Sequence, residues 1–170
     1  ASDVYKRQQG GQGTLDQFNV GKAMVNGLEL MFHYLPLPRH FAVQLPIQLS
    51  YTYTNTEMKN DFISSAWGNV VYGDEIPYIY KHAFNAQIGI EHKWVEANFG
   101  ARYNGDMRTT PGHGKIAERE KIPAHLILDA SLKGHINKNI TITLNAINLA
   151  NKKYLVSRHP AGFRAGHPFG

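Results

Sequence analysis

The sequence predicts an all-β protein, an antiparallel transmembrane β-barrel segment. Three observations carry this: a recurring two-residue alternation of apolar and polar side chains, connections that switch between tight turns and long polar loops, and aromatic residues gathered at strand ends. From Val43 to Thr54 every odd position is apolar or aromatic and every even position, Pro46 excepted, is polar. A strand sends successive side chains to opposite faces, so such a segment has one oily face and one wet face. In a soluble sandwich the oily face meets a second sheet. In a membrane barrel it meets lipid and the polar face lines the lumen.

The alternation recurs along the chain. Leu28, Leu30, Phe32 and Tyr34 give a first, weaker strand, and Val43–Thr54 the second. Phe84, Ala86, Ile88 and Ile90 alternate with Asn85, Gln87, Gly89 and Glu91 in the third. In the fourth, Val95, Ala97, Phe99, Ala101 and Tyr103 interleave Glu96, Asn98, Gly100, Arg102 and Asn104, which puts charge of both signs on the second face and argues against a sandwich core. Ile122, Ala124, Leu126, Leu128, Ala130 and Leu132 form the fifth, against Pro123, His125, Ile127, Asp129, Ser131 and Lys133; Ile140, Ile142, Leu144 and Ala146 form the sixth. About six strands result, each near the roughly 9–11 residues that a tilted strand needs to cross a bilayer.

The connections sort themselves. Tyr34 to Phe41, Lys93-Trp94 and Asn137-Lys138-Asn139 are short, whereas Glu57 to Ile76, Asp106 to Lys121 and the stretch from Ser157 are long and polar. Short turns on one side and long loops on the other are what a transmembrane barrel requires, and they set the strands beginning near Phe41, Val95 and Ile140 running outward. Tyr51, Tyr53, Tyr78, Tyr80 and Tyr103 fall beside the long loops, and Tyr34 and Trp94 beside the short turns, which predicts two interfacial girdles.

Composition sets bounds. A mean hydropathy of -0.37 with 42% hydrophobic residues leaves no apolar run of the roughly 20 residues that a membrane helix needs. There are no cysteines, hence no disulfide framework and no thiolate metal site. The net charge is +5, but the 18 Lys and Arg are dispersed, without the block or stripe that nucleic-acid binding uses.

Several motifs carry a resemblance. Gly21-Lys22-Ala23 through Val25-Asn26-Gly27-Leu28-Glu29-Leu30 resembles the GxE strand of TonB-dependent outer-membrane receptors, in which the following outward strand ends in aromatic-Thr-aromatic, here Tyr51-Thr52-Tyr53-Thr54. Ile76-Pro77-Tyr78 with Lys81-His82 resembles the family's IPYxPxH segment, with Ile79-Tyr80 in the gap. Asn145, Asn148, Leu149 and Tyr154 match its NxxNLxxxxY signature, and Ser157-Arg158-His159-Pro160-Ala161-Gly162 resembles the last external loop of the ferric dicitrate receptor subgroup. The resemblance implies a barrel of roughly 22 strands with a plugged lumen. It also implies uptake of a ferric chelate, a siderophore or ferric citrate, driven by an inner-membrane energy-transducing complex acting through the plug, and a place in the bacterial outer membrane among lipid and lipopolysaccharide. On this reading residues 16–170 are the C-terminal part of the barrel, without plug domain or last strand, and residues 1–15 are an irregular, non-native leader. The alternative is a passive porin-like channel, which shares the alternation and needs neither plug nor energy.

No catalysis, cofactor or metal site is expected. Ser131, His125 and Asp129 could be drawn as a triad, but three residues of one strand lack the mutual geometry that nucleophile and base require. Ferric chelates are anionic and oxygen-rich, and the guanidinium fork suits such groups. The candidate ligand-binding residues are therefore Arg108, His113 and Arg119 in one long loop and Arg158, His159 and Arg164 in the last; basic loops of this kind also meet lipopolysaccharide phosphates.

Overall fold

A computed structural model describes residues 4–10, 17–38, 40–64, 67–159 and 162–166. The strands are β1 (Val4–Gly10), β2 (Gln17–Tyr34), β3 (Val43–Gln44), β4 (Ile47–Met58), β5 (Phe62–Ser64), β6 (Gly68–Val70), β7 (His82–His92), β8 (Val95–Asn104), β9 (Met107–Arg108), β10 (Lys121–Ile122), β11 (His125–Asn137), β12 (Ile140–Ala146), β13 (Tyr154–His159) and β14 (Gly162–Gly166). The long strands form an eight-stranded antiparallel meander in the order β1-β2-β4-β7-β8-β11-β12, with β3 paired to β7. β5-β6, β9-β10 and β13-β14 are separate two-stranded hairpins.

The register aligns the oily residues across the whole sheet. Leu30 pairs with Tyr51 and Phe32 with Leu49; Leu49 with Ala86 and Ile47 with Ile88; Ile88 with Phe99 and Phe84 with Tyr103; Leu126 with Tyr103 and Leu132 with Ala97; and Leu132 with Leu144. One continuous face thus carries Leu28, Leu30, Phe32, Ile88, Ile90, Phe99, Leu132, Ile142 and Leu144, all exposed. The opposite face carries Gln48, Ser50, Asn85, Gln87, Asn98, Arg102, Asp129 and Ser131. A one-residue slip anywhere would exchange the two sets, so the pattern and the register specify each other.

Buried apolar side chains lie elsewhere. Met58, Val70, Met107, Ile122 and Ile127 are the buried hydrophobic residues among those described, and all sit at or beside the long loops. Above the Leu28–Tyr53 pair the polarity of the β2-β4 hairpin inverts: Asn26 pairs with Asn55 and Met24 with Glu57 on what was the oily face, while Thr56 and Met58 are buried on the other. The oily band therefore ends near Tyr53, His82 and Tyr103, and the long loops fold onto the polar face beyond it.

Several boundaries differ from the sequence reading. β2 extends back to Gln17, because its upper half stands beyond the oily band and has no reason to alternate. Val43–Thr54 is interrupted at Leu45-Pro46, and the expected strand from Ile122 begins at His125, because Pro46 and Pro123 have no N–H for the ladder. Ile122, expected on the oily face, is fully buried in the β9-β10 hairpin. Val4–Gly10, in the stretch expected to be irregular, pairs with β2 from Val4–Met24 to Gly10–Gln17. Tyr80 leaves the expected girdle and packs against His125, which stacks on Tyr154 at 4.5 Å between ring centroids.

Turn chemistry explains the short connections. Lys93-Trp94 joins β7 to β8, and at the β11-β12 turn Asn137 Oδ1 accepts from the backbone N–H groups of Asn139 and Ile140 at 2.8 and 2.9 Å. No helix among the described residues is long and apolar enough to cross a membrane, which says nothing of crossing by strands.

Candidate functional site

The long loops are built as one cap. Residues 59–81 and 105–124 meet at an isolated bridge between Glu75 and Gly112, where Glu75 N–H donates to Gly112 O at 2.8 Å. The Glu75 carboxylate then takes Arg108 Nε at 2.9 Å on one oxygen and Lys81 Nζ at 3.3 Å on the other. Arg108 Nη2 donates to Gly114 O at 3.1 Å, and Tyr78 N–H donates to Arg108 O at 2.9 Å. Beside it, buried Asp74 holds His113 Nδ1 at 3.0 Å through Oδ1 and accepts from Val71 N–H at 3.0 Å through Oδ2. Glu75 and Asp74 thus pin residues 105–124 to the neighbouring loop through Arg108 and His113.

The third part of the cap is seated by asparagine. Asn148 adopts φ 55, a left-handed conformation that Asn tolerates better than most residues, and its amide closes the turn by accepting from Lys152 N–H at 2.9 Å and donating to Lys152 O at 3.1 Å. Its own N–H donates to Asp129 Oδ1 at 2.9 Å, while Asp129 Oδ2 pairs with Arg102 Nη2 at 2.9 Å. Tyr154 then stacks over His125, whose ring is held by Asn104 Nδ2 at 3.3 Å and Pro123 O at 3.4 Å. Burial pushes the Tyr80 phenol beside them above its ordinary range, with Tyr154 adding to the effect.

The candidate residues divide accordingly. Arg108, with 7% of its side chain exposed, is engaged by Glu75 and Gly114 and holds the loops together. His113 is 71% exposed although tied to Asp74, and Arg119 is 87% exposed with Nε 3.3 Å from Glu120. Arg158 Nη1 donates to Arg119 O, and Tyr78 Oη donates to Arg158 O, so the hairpin β13-β14 reaches back onto both long loops. The structure brings Arg119 and Arg158 together and sets His113 on the same cap. His159 and Arg164 lie on the backbone of β13-β14, and their side chains lie outside the described part of the structure. Nearby, Lys81, Arg108, Lys115 and Lys121 surround a cleft of about 320 Å³ together with Glu75 and Asp106. The Lys121 ammonium, hydrogen-bonded to Glu118 Oε1 at 2.5 Å, holds the Glu118 carboxyl below its usual range.

Sequence reasoning missed Asp74, Glu75 and Lys81. Their signal was present: two consecutive carboxylates inside a loop next to a basic one. The partners Gly112 and Arg108 are more than thirty residues away, and only the fold joins them.

Residues 2–149 match the family described as TonB dependent receptor-like, beta-barrel. The chain is 25% identical over 151 residues to a probable TonB-dependent siderophore receptor, PiuA, of Acinetobacter baumannii, an alignment covering 85% of this chain and 19% of the relative. Its fold resembles the closed form of the ferric-catecholate import receptor Fiu of E. coli K12, with a TM-score of 0.64, 25% identity, and coverage of 95% of this chain and 22% of that one. The crystal structure of PiuA from Acinetobacter baumannii gives the same TM-score of 0.64 at 24% identity, covering 86% of this chain and 20% of that one. The chain therefore spans about a fifth of the length of these relatives.

Proposed function

Because the chain belongs to the TonB-dependent receptor β-barrel family, a family of outer-membrane transporters rather than enzymes, we propose that it forms part of the wall and outer lip of a receptor importing a ferric chelate. The observation that carries this reading is the two-faced sheet under a folded cap of interlocked loops. Lipid-facing residues stop near Tyr53 and Tyr103, and above them lie the buried apolar core and the Glu75–Arg108 and Asp74–His113 pairs that join the loops. A passive channel would need the same wall but no such investment in a cap.

The sheet runs from β1 to β12 without pairing between those edges among the described residues. An unpaired strand edge cannot stand in hydrocarbon, where each unsatisfied backbone group costs several kcal/mol. On this reading the sheet from β1 to β12 is one sector of a larger barrel, and a plug inside it would receive the pull of the inner-membrane partner. Arg119, Arg158 and His113 present exposed or half-exposed cationic or hydrogen-bonding groups to an anionic ligand from outside; His159 and Arg164 extend the same hairpin, and Arg108 positions the loops. Lipopolysaccharide phosphates would meet the outer rim of the same basic surface.

The substrate is an anionic ferric chelate, for which the receptor names PiuA and Fiu support a siderophore, while the Ser157–Gly162 motif supports ferric citrate. Growth of an iron-starved host lacking its own ferric-chelate receptors, complemented with the full-length receptor and fed one iron source at a time, separates the two. Rescue by a catecholate siderophore alone assigns the first, and rescue by ferric citrate alone the second. No rescue by any ferric chelate, with folded receptor present in the outer membrane, contradicts the reading.

A further inference from the structure

Three of the described residues other than glycine hold a left-handed backbone: Asn148 at φ 55, Asn151 at φ 46 and Tyr78 at φ 60. Asparagine tolerates that region, because its short side chain bonds locally. A bulky aromatic does not, and it stands there only where the surrounding structure holds it. Nothing about the bend itself calls for tyrosine, since Gly or Asn would make the same turn with less strain. What the position keeps, against that strain, is the side chain.

The chain delivers Tyr78 from a fixed base. Ile76 N–H donates to Oγ1 of buried Thr56 in β4 at 2.9 Å, and Pro77, itself buried, fixes the next φ. From there the Tyr78 N–H donates to Arg108 O at 2.9 Å, inside the clamp, while Tyr78 Oη donates to Arg158 O on β13. The start of β13 is held by the stack of Tyr154 on His125. One point leaves a strand free to pivot, and a second point at Arg158 sets its direction. The strand so aimed carries the Arg158 guanidinium, whose Nη1 donates to Arg119 O. Two cationic residues from separate parts of the chain are thus kept together against their mutual repulsion, an arrangement that an anionic, oxygen-rich ligand stabilises.

We propose that Tyr78 is a positioning residue for ligand capture: its left-handed backbone aims the phenol at Arg158 O, which fixes β13 and so sets the Arg158 guanidinium beside Arg119. The inference rests on the proposed import function and adds to it the residue that assembles the binding surface from separate loops. Tyr78 itself touches no ligand; it acts through Arg158. A phenol does this at low conformational cost, because only two torsions separate the backbone from the ring that carries the hydroxyl. The Ile76-Pro77-Tyr78 segment thereby has a physical role, with Ile76 and Pro77 fixing the base and Tyr78 spanning the gap to β13.

The test uses the full-length receptor with Tyr78→Phe, which removes one oxygen and leaves backbone and ring, and Tyr78→Asn, which keeps the left-handed turn with less strain but is too short to reach β13. Nitroxides on cysteines placed at Ile63 and Val156, both exposed, report the distance between the β5-β6 hairpin and β13. Equilibrium binding of radiolabelled ferric citrate and of a radiolabelled ferric tris-catecholate reports affinity, with and without Arg158→Gln. Both Tyr78 variants should reach the outer membrane folded, broaden the distance distribution and raise Kd about fivefold for whichever chelate binds, the effect of one lost hydrogen bond. On top of Arg158→Gln the further loss should be under about twofold, because Tyr78 acts through that residue. Wild-type affinity or a wild-type distance distribution in Tyr78→Phe overturns the role. So does a loss of affinity that is as large with Arg158→Gln as without it. A wild-type receptor that is folded in the outer membrane yet binds neither chelate contradicts the import function itself, and the positioning role falls with it even where the distances shift.

Discussion

Gly27 shows how a single residue can be fixed by backbone contact. Its virtual Cβ lies 2.2 Å from Tyr53 O in a paired strand, so Gly27→Ala forces β2 and β4 apart. The expected cost is about 1–3 kcal/mol, read as a lower urea midpoint of the folded barrel at unchanged slope. The motif glycine is thus explained by sheet geometry rather than by ligand. Asn148 belongs with it: its amide makes two bonds to Lys152 and its backbone is left-handed. Asn148→Gly keeps the backbone and loses the amide, whereas Asn148→Val loses both, so proteolytic nicking near Lys152 should rise modestly in the first and sharply in the second. Glu118 gives a charge test at the same scale. Lys121 lowers its folded-state pKa, so its contribution is present above the ordinary carboxylate pKa and fades as pH falls through the lowered one. In an NMR titration, Lys121→Met should raise the Glu118 midpoint toward its ordinary value, with Lys115 and Arg158 still holding it lower.

Among elements, the two long loops stand or fall together. Glu75 carries the bridge to Gly112 and the only ion pair described for buried Arg108, so Glu75→Ala strands a guanidinium in a site that has little water. Removing one partner of a buried pair costs about 3–5 kcal/mol, and exposure of Glu75 brings the expectation to about 3 kcal/mol. The loss is local: hydrogen exchange should accelerate across residues 59–81 and 105–124 together while β7 and β8 keep their protection. Loss of protection in only one loop would contradict the clamp. This clamp was not legible in the sequence, and the physical reason is separation. Asp74 and Glu75 read as ordinary loop carboxylates until the fold sets Arg108 and His113 against them. Strand cores were legible, because a period of two in Val95–Tyr103 or Phe84–Ile90 has one geometric meaning. Strand ends were less so: above the oily band β2 and β4 obey pairing rather than alternation, and at Pro46 and Pro123 a missing N–H overrides a continuing pattern.

For the whole molecule, the claim that organises everything else is which face meets hydrocarbon. The oily set is aligned across all the long strands from β2 to β12, and among the described residues the buried apolar side chains lie in the cap rather than on that face. Phe99 lies near the middle of β8 on that face. Phe99→Arg should cost about 2–4 kcal/mol of barrel stability in a bilayer, while Asn98→Arg next to it should cost little. The alternation made this face visible in the sequence, whereas the candidate site divided once the fold placed Arg108 in the clamp, Arg119 at the surface and Arg158 half-buried against it. The most direct measurement is a nitroxide scan of single cysteines from Val95 to Asn104 in the full-length receptor in bilayers, to which this chain contributes no native cysteine. Collision with oxygen should peak at Val95, Ala97, Phe99, Ala101 and Tyr103 and drop at the residues between them. Low oxygen collision at Phe99 with no two-residue period would place that face against protein and contradict the account.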